Sequence, residues 1–456
     1  MLVNCAIGNG YLRLGVAAIA AIGLWWAKPA TAQTPGATTA PAVADSRPSP
    51  KFSFTAAAVP GFTQVKATDA YSDQRGYGFE KPASVKFVDR GGSDPIHSGF
   101  VTGTSTTPFA FSIKLPEGNY DVTFTLGDSK AESTTTVKAE LRRLMIAQLH
   151  LAAGEYGHPT ITVNTRTPLI AGTNQRVGLK AREMTTEGIA WDDKLTLEFD
   201  DKAPAISAIE IAPSHGPTVY LMGDSTMCDQ PTEPFNSWGQ TITNWFKPGV
   251  AVSNQAESGD SLPGSVGGRL AKMTSTMKKG DYLFVQFGHN DMKGAGEPPA
   301  RYEQLLAQVV TQVRAHGGTP IIVTPVSRKS FNAAGQITDS FVANGGSYVL
   351  AAKDAAKVNN ALMIDLNGLS AKFYEALGQP NAGVAFARPT ESTHHSDYGS
   401  YEISKCMIQG IIDAKLPLAD YVKADWKTFD PSKPDPFSSF TIPRDGAANG
   451  ATPLGN

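Results

Sequence analysis

The chain has 456 residues, of which 18% are charged, and a formal net charge of -2 at pH 7. A chain of this length can bury one or two sizeable cores. Its near-neutral charge excludes the strongly basic surface that is typical of nucleic-acid-binding domains, so no nucleic-acid partner is expected.

The first 32 residues are predicted to be a secretory signal peptide. Arg13 precedes the apolar run Leu14 to Ala27, which is short for a membrane span, and Ala30-Thr31-Ala32 fits an A-x-A cleavage site. An uncleaved membrane anchor is the alternative. The prediction implies a secreted or periplasmic protein with no stable membrane association after cleavage. Residues 33–50 are rich in proline, alanine and threonine, which predicts a flexible linker.

Short alternating apolar patterns begin at Lys51 and predict an antiparallel β-sandwich over residues 51–212. Two such runs, Phe109 to Leu115 and Tyr120 to Leu126, flank the turn sequence PEGN and predict a hairpin. Further strands are expected at 160–163, 195–199 and 208–212. We expect this domain to be mainly a structural partner with weak glycan contact.

From residue 213 to about 425, apolar runs alternate with helical patterns. The predicted strands are Val219 to Met222, Val250 to Asn254, Tyr282 to Phe287, Pro320 to Pro325 and Ala361 to Leu366. Helical stripes are expected at 302–313 and 403–412. This alternation predicts an α/β fold with a parallel sheet covered on both faces and a functional site at the carboxyl ends of its strands. Residues 426–456 are predicted to be a Pro-rich C-terminal tail.

Three predicted strands end in polar clusters, GDST, NQAESGDS and GHND, and ESTHH follows the fifth. Gly223 permits a tight turn, which would place Ser225 at a helix start with unpaired backbone N–H groups. Gly259 and Asn290 would add a backbone and an amide donor. Three convergent donors of this kind form an oxyanion hole for acyl transfer.

These residues resemble the SGNH (GDSL) hydrolases, and within them the rhamnogalacturonan acetylesterase-like carbohydrate esterases of family CE12. The resemblance is carried by VYLMGDST, SNQAESGDSL, KKGDYLFVQFGHND, VTPVSR, IDLN and THHSDYG. Upstream, KFSF, GFTQV, RGYGFE and AELRRLM resemble the galactose-binding-like sandwich of many bacterial members. The family implies a flavodoxin-like, five-stranded parallel sheet flanked by helices and a serine esterase that needs no cofactor.

The resemblance also implies roles for individual residues. Ser225 would be the nucleophile, His394 the general base and then acid, and Ser225, Gly259 and Asn290 the oxyanion donors. The family usually has aspartate three residues before the histidine, where this chain has Glu391, and usually phenylalanine where it has His395.

The choice of base and acid can also be argued from spacing. In a turn before a helix, residues three apart share a side of the backbone, so Glu391 can reach the His394 ring. Asp397 is expected at a helix N-terminus. For His395 we favour a partly buried ring or pocket wall over a weak substrate contact, and His289 is ambiguous between supporting the site and touching substrate. A zinc site is disfavoured because no H-E-x-x-H spacing is present, so no metal is expected.

The sequence thus predicts a deacetylase that acts on acetylated acidic polysaccharide, with the rhamnogalacturonan backbone favoured. Alternatives are an esterase for acetylated xylan, mannan or lipid esters, and a non-catalytic carbohydrate-binding protein. Five cations are expected near the rim of the site, where some would attract galacturonate carboxylates: Arg269, Lys293, Arg301, Arg328 and Arg388. After signal cleavage, Cys228 and Cys406 could form one disulfide or remain two buried thiols.

Overall fold

The structure, a computed structural model, describes residues 45–443. The predicted signal peptide lies outside the described residues, as do most of the predicted linker and the end of the predicted C-terminal tail. The end of the predicted linker contacts the sandwich, where Arg47 Nη1 donates to the Asn119 carbonyl at 3.0 Å.

The first half of the described chain forms two packed sheets. Their strands are β1 (Lys51–Ser53), β2 (Thr63–Gln64), β3 (Tyr77–Phe79), β4 (Val85–Asp89), β5 (Gly99–Gly103), β6 (Phe109–Lys114), β7 (Gly118–Gly127), β8 (Ser133–Ala139), β9 (Arg143–Leu151), β10 (Tyr156–Gly157), β11 (Thr160–Thr165), β12 (Lys194–Ala203) and β13 (Ile206–Pro213). One sheet runs β3-β6-β12-β8-β9, and the other is built around β7 and β13. All pairs are antiparallel except β1 with β2. The predicted sandwich is therefore confirmed.

The predicted hairpin between β6 and β7 is wrong. β6 pairs with β3 and β12, whereas β7 pairs with β10, β11 and β13 in the opposite sheet. Both strands alternate because each turns one side chain in two toward the same core, where Phe111 and Phe124 are fully buried. Alternation reveals which face is buried but does not identify the partner strand. The PEGN turn thus carries the chain from one sheet to the other.

The second half of the described chain contains a five-stranded parallel sheet. Its strands are β14 (Thr218–Gly223), β15 (Ala251–Asn254), β16 (Tyr282–Gln286), β17 (Thr319–Val323) and β20 (Leu362–Ile364), and a short ribbon of β18 (Val342–Ala343) and β19 (Gly346–Ser347) lies apart from it. The order β15-β14-β16-β17-β20 is the 2-1-3-4-5 order of flavodoxin-like sheets. The predicted fold class is confirmed, and each of the five predicted strands lies within a few residues of its observed position.

Helices cover both faces of this sheet, as its nearly continuous apolar strands predict. They are α1 (Trp238–Thr241), α2 (Leu262–Gly267), α3 (Arg269–Thr276), α4 (Pro299–Ala315), α5 (Tyr348–Val358), α6 (Leu366–Leu377) and α7 (Asp397–Asp413). Alternate residues of β14 separate the two cores: Val219 and Leu221 pack with α1, α6 and α7, while Tyr220 and Met222 pack with α2 to α5. Among the residues that the structure describes, no helix has the length and apolar character of a membrane span.

The described part of the C-terminal tail packs on α7. Phe429 is buried in the core, the Tyr398 hydroxyl donates to the Asp435 carbonyl at 2.7 Å, and Phe440 packs edge-on against Tyr401. Up to residue 443, this segment is therefore part of the folded unit.

Candidate active site

Ser225 lies immediately beyond the carboxyl end of β14, in a turn that a small residue makes possible. A Cβ atom on Gly223 would lie 2.8 Å from the Gln286 carbonyl oxygen and 2.7 Å from Met227 Sδ, so only glycine fits. The N–H groups of Met227 and Cys228 both donate to the Asp224 carbonyl at 3.0 Å, which forms one helical turn. The predicted helix does not begin at Ser225. This single turn follows instead, and α1 begins at Trp238.

The His394 ring meets the Ser225 hydroxyl. Nε2 of His394 lies 2.9 Å from Ser225 Oγ, within hydrogen-bond distance, and both residues are about 1% exposed. The loop that carries the histidine precedes α7, and the Phe235 ring packs edge-on against the imidazole. A hydroxyl paired with a buried imidazole in this way is the arrangement that activates a serine nucleophile.

Glu391 lies on the other side of the imidazole. Its Oε2 atom is 3.6 Å from His394 Nδ1, while Oε1 accepts the N–H groups of Ser392 and Thr393 at 3.1 and 3.0 Å. The side chain is 8% exposed. Asp397 is the first residue of α7 and accepts a 2.7 Å hydrogen bond from Asn236 Nδ2, so its expected place at a helix N-terminus is confirmed.

The two other predicted donors follow the neighbouring strands. Gly259 follows β15 with a φ of +73°, and Asn290 follows β16. Asn290 Nδ2 donates one hydrogen to the Asp260 carbonyl at 2.7 Å, which ties the two loops together. An amide has a second N–H, so this bond leaves Asn290 a donor for a ligand.

Sequence reasoning gave no role to Asp224, although it lies in the GDST cluster. The structure buries Asp224 and His289 completely, with His289 Nδ1 3.3 Å from Asp224 Oδ2. Burial lowers the pKa of His289, although the adjacent Asp224 acts in the opposite direction. Burial opposes ionisation of Asp224, but the adjacent His289 and hydrogen bonds from Thr226 hold the pKa of Asp224 below its ordinary value. In the sequence, this buried pair is indicated by position, since Asp224 precedes Ser225 and His289 precedes Asn290.

Three of the residues considered for substrate or rim contact are buried. His289 and His395 are both 0% exposed, which favours a supporting role over substrate contact for each ring. His395 Nε2 lies 2.6 Å from the Tyr374 hydroxyl, and burial, with a contribution from His394, lowers the pKa of His395 to about 3. The guanidinium of Arg269 is buried between Glu183 and Asp260 and is not a rim cation.

The other predicted cations have different surroundings. Arg328 Nη2 donates to the His289 carbonyl at 3.4 Å, and its guanidinium lies over the Phe341 ring. Arg388 lies over Phe235, the residue that packs against His394. Arg301 is exposed on α4 and bonds Gln304. Cys228 and Cys406 are both free buried thiols, and burial raises the pKa of each.

The parallel sheet, with a buried serine and histidine in contact at its carboxyl edge, has the architecture of an SGNH-type serine hydrolase. Comparison with known proteins agrees. Residues 221–399 match the GDSL-like Lipase/Acylhydrolase family, and residues 50–152 match the Beta-agarase/YXIM esterase-like, galactose-binding domain-like family.

Curated relatives extend these matches. Rhamnogalacturonan acetylesterase RhgT of Bacillus subtilis is 36% identical over 220 residues, which cover 45% of this chain and 93% of that protein. The uncharacterized esterase YxiM of the same organism is 26% identical over 362 residues, or 77% of this chain and 87% of that protein. The crystal structure of Bacillus subtilis YxiM covers 81% of this chain and 99% of its own, with a TM-score of 0.44 and 23% identity. The chain belongs to the GDSL-like lipase/acylhydrolase family and is a carboxylic ester hydrolase.

Proposed function

We propose that this protein removes O-acetyl groups from pectic polysaccharide, with the rhamnogalacturonan backbone as the favoured substrate. The observation that carries the catalytic part is the 2.9 Å contact between Ser225 Oγ and His394 Nε2 in a buried site. The substrate class is supported by the names of two relatives, RhgT and the probable rhamnogalacturonan acetylesterase YesY of Bacillus subtilis, which is 30% identical over 216 residues.

The reaction begins when His394 Nε2 accepts the Ser225 proton and Oγ attacks the acetyl carbonyl carbon. The carbonyl oxygen becomes an oxyanion, which binds the N–H groups of Ser225 and Gly259 and the Asn290 amide. The protonated His394 donates its proton to the departing sugar oxygen, and the acetyl-enzyme remains. Water, deprotonated by His394, then releases acetate and restores Ser225.

Glu391 orients the His394 ring and stabilises the imidazolium that forms in each half of the reaction. The acid of a catalytic triad has this role and does not itself take the proton. None of these steps uses a metal or a cofactor.

Arg328 and Arg388 are the proposed contacts for galacturonate carboxylates, because both lie beside residues that pack on the site and a guanidinium matches the geometry of a carboxylate. The apolar run before Ala32 supports export of the protein, so that it acts on a substrate outside the cytoplasm.

Acetate release tests the substrate proposal. We would incubate the protein with acetylated rhamnogalacturonan, homogalacturonan, xylan and mannan, and compare acetyl with octanoyl p-nitrophenyl esters. We expect the fastest release from rhamnogalacturonan, a strong preference for acetyl over octanoyl, and no release by Ser225→Ala. Faster release from xylan or mannan, or from the octanoyl ester, would reject the pectic substrate.

A further inference from the structure

The segment 166–193, which joins β11 to β12, belongs to the sandwich by its place in the chain but lies against the hydrolase loop that follows β15. Lys180 and Arg182 of this segment both reach the loop that contains Gly259. Sequence reasoning found no signal for this contact, because the two parts are about 80 residues apart and neither carries a motif that points to the other.

The loop is a tight turn from Glu257 to Asp260. The Asp260 N–H donates to the Glu257 carbonyl at 3.1 Å, and Gly259 occupies the third position with a φ of +73°, as in a type II turn. The peptide unit between Ser258 and Gly259 is planar and trans, so its C=O and N–H point in opposite directions. Whatever fixes the Ser258 oxygen therefore also fixes the direction of the Gly259 N–H.

Two cations bind that oxygen. Arg182 Nη2 donates to the Ser258 carbonyl at 2.6 Å and Lys180 Nζ donates to it at 2.8 Å. The same side chains hold the carboxylates on either side of the peptide, because Arg182 pairs with Glu257 and Lys180 Nζ lies 3.0 Å from Asp260 Oδ1. The turn is thus clamped at its carbonyl oxygen and at both ends.

Buried residues in turn hold the segment that carries Lys180 and Arg182. Arg269 Nη2 donates to Glu183 at 2.7 Å and its Nε donates to Asp260 Oδ2 at 3.1 Å. The other oxygen of Glu183 accepts the Trp191 indole N–H at 3.1 Å. Arg269, Glu183 and Trp191 are all buried, so the segment cannot shift without breaking charged hydrogen bonds away from water.

We propose that Arg182 and Lys180 are positioning residues that set the direction and the donor strength of the Gly259 N–H. The inference rests on the proposed function, in which that N–H binds the oxyanion. Cations on the carbonyl oxygen draw electron density from the amide and strengthen its N–H as a donor. A donor that is fixed before the reaction needs no reorganisation when the charge develops. The sandwich thereby contributes to catalysis without touching the substrate.

Kinetics of the full-length Arg182→Met and Lys180→Met variants test this inference. With p-nitrophenyl acetate we expect kcat to fall by about 10- to 100-fold, the range expected from a small misplacement of a catalytic group. KM should change little, because the donor acts mainly in the transition state. Arg182→Lys should recover part of the loss, and Arg176→Met, at an exposed position of the same segment, should behave like wild type.

Methylboronic acid provides a readout that a merely structural role would not change. Its boron accepts the Ser225 oxygen and becomes tetrahedral, which places a boronate oxygen in the oxyanion site. Across the variants, the inhibition constant should rise in proportion to the fall in kcat/KM, because both report binding to a transition-state-like species.

Arg182→Met leaves the buried Glu257 carboxylate with the more distant Lys180, 3.8 Å away, as its cation, which can impair folding. The double variant Arg182→Met/Glu257→Gln removes both charges, and Lys180→Met removes a more exposed one. Folded variants with wild-type kcat and wild-type boronate affinity would overturn the inference. If Ser225→Ala retained activity, the proposed function itself would fail, whereas an inactive Ser225→Ala with unaffected Arg182 and Lys180 variants would reject the positioning role alone.

Discussion

One oxygen of the Glu391 carboxylate accepts backbone N–H groups, and the other lies near the His394 ring. Oε1 accepts the backbone N–H groups of Ser392, Thr393 and His394, while Oε2 lies 3.6 Å from His394 Nδ1, longer than a hydrogen bond. Catalytic hydrogen bonds are often long in the free enzyme and tighten when substrate binds. The 3.6 Å separation is therefore compatible with the proposed role of Glu391 as the acid of the triad.

Glu391→Gln tests this role. The amide keeps the shape of the side chain but cannot stabilise the imidazolium, so kcat should fall by about 10² to 10⁴ fold, as when a triad acid becomes an amide. Glu391→Asp should retain more activity than the glutamine variant. Steady-state hydrolysis of p-nitrophenyl acetate measures both.

Asp397→Asn is the matched control, since Asp397 begins α7 and bonds Asn236. It should leave kcat nearly unchanged, because Asp397 accepts a hydrogen bond from Asn236 and lies near Arg142. A large fall in kcat in Asp397→Asn, together with normal kcat in Glu391→Gln, would show that the acid is Asp397.

Because His395 is buried, we expect the protein to lose stability in acid through this residue. Burial lowers its pKa in the folded state from 6.5 to about 3. Above pH 6.5 the ring is neutral in both the folded and the unfolded chain, so His395 costs no stability there. Between pH 6.5 and the folded-state pKa, the unfolded chain binds a proton that the folded chain does not, and the free energy of unfolding falls as the pH falls. Wild type should therefore lose about 2 kcal/mol through His395 between pH 6.5 and pH 5.

Urea denaturation at pH 7 and pH 5 measures this effect. In His395→Phe the loss of unfolding free energy between the two pH values should be smaller than in wild type by that amount. Adding Tyr374→Phe removes the hydroxyl that would lose its partner. Exposed His316→Gln is the control and should keep the wild-type pH dependence. Equal pH dependence in wild type and His395→Phe would show that His395 is not held neutral.

At the level of elements, the site is made where the loops after β14, β15 and β16 meet the loop before α7. Asn290 connects two of these loops through its bond to the Asp260 carbonyl.

Asn290→Ala should lower kcat by about 10² to 10³ fold with little change in KM, since an oxyanion donor acts in the transition state. Steady-state kinetics on p-nitrophenyl acetate measure both constants. A rise in KM with normal kcat would instead make Asn290 a substrate-binding residue.

The elements that carry the site were largely predictable, because each depends on local sequence. Buried strands such as Tyr282–Gln286 are continuous apolar runs, and α7 has a clear apolar stripe. The wrong hairpin shows the limit, since β6 and β7 choose partners far away in sequence. The exposure of His289 and His395 and the contacts of Arg182 also depend on residues that only the folded chain brings together.

At the scale of the whole molecule, the sandwich contacts the loops that surround Ser225, as a structural partner would. Arg142, in the turn between β8 and β9, donates hydrogen bonds from Nη1 to the Gln230 and Phe235 carbonyls, both at 3.0 Å. Arg143 Nε binds Asp229 at 2.8 Å and its Nη1 binds the Val252 carbonyl at 3.2 Å. Together with the clamp on Gly259, these contacts hold two of the loops that surround Ser225.

A chain that begins at Pro213 should therefore fail to support catalysis even on small acetyl esters. Such a chain lacks the hydrogen bond of Arg143 to Asp229 and the ion pair of Arg182 with Glu257, so the loops after β14 and β15 lose contacts that hold them in place. Soluble expression, urea denaturation and p-nitrophenyl acetate hydrolysis measure the outcome. A folded, fully active fragment would show that the sandwich is dispensable.

Covalent labelling tests the central claim, that Ser225 is the nucleophile of a serine esterase. The full-length protein would be treated with a fluorophosphonate, digested, and analysed by peptide mass spectrometry while acetyl ester hydrolysis is followed in parallel. We predict one adduct on Ser225, loss of activity in proportion to labelling, and much slower labelling in His394→Ala. Labelling of another residue in step with inactivation, or full activity with Ser225 completely modified, would contradict the account.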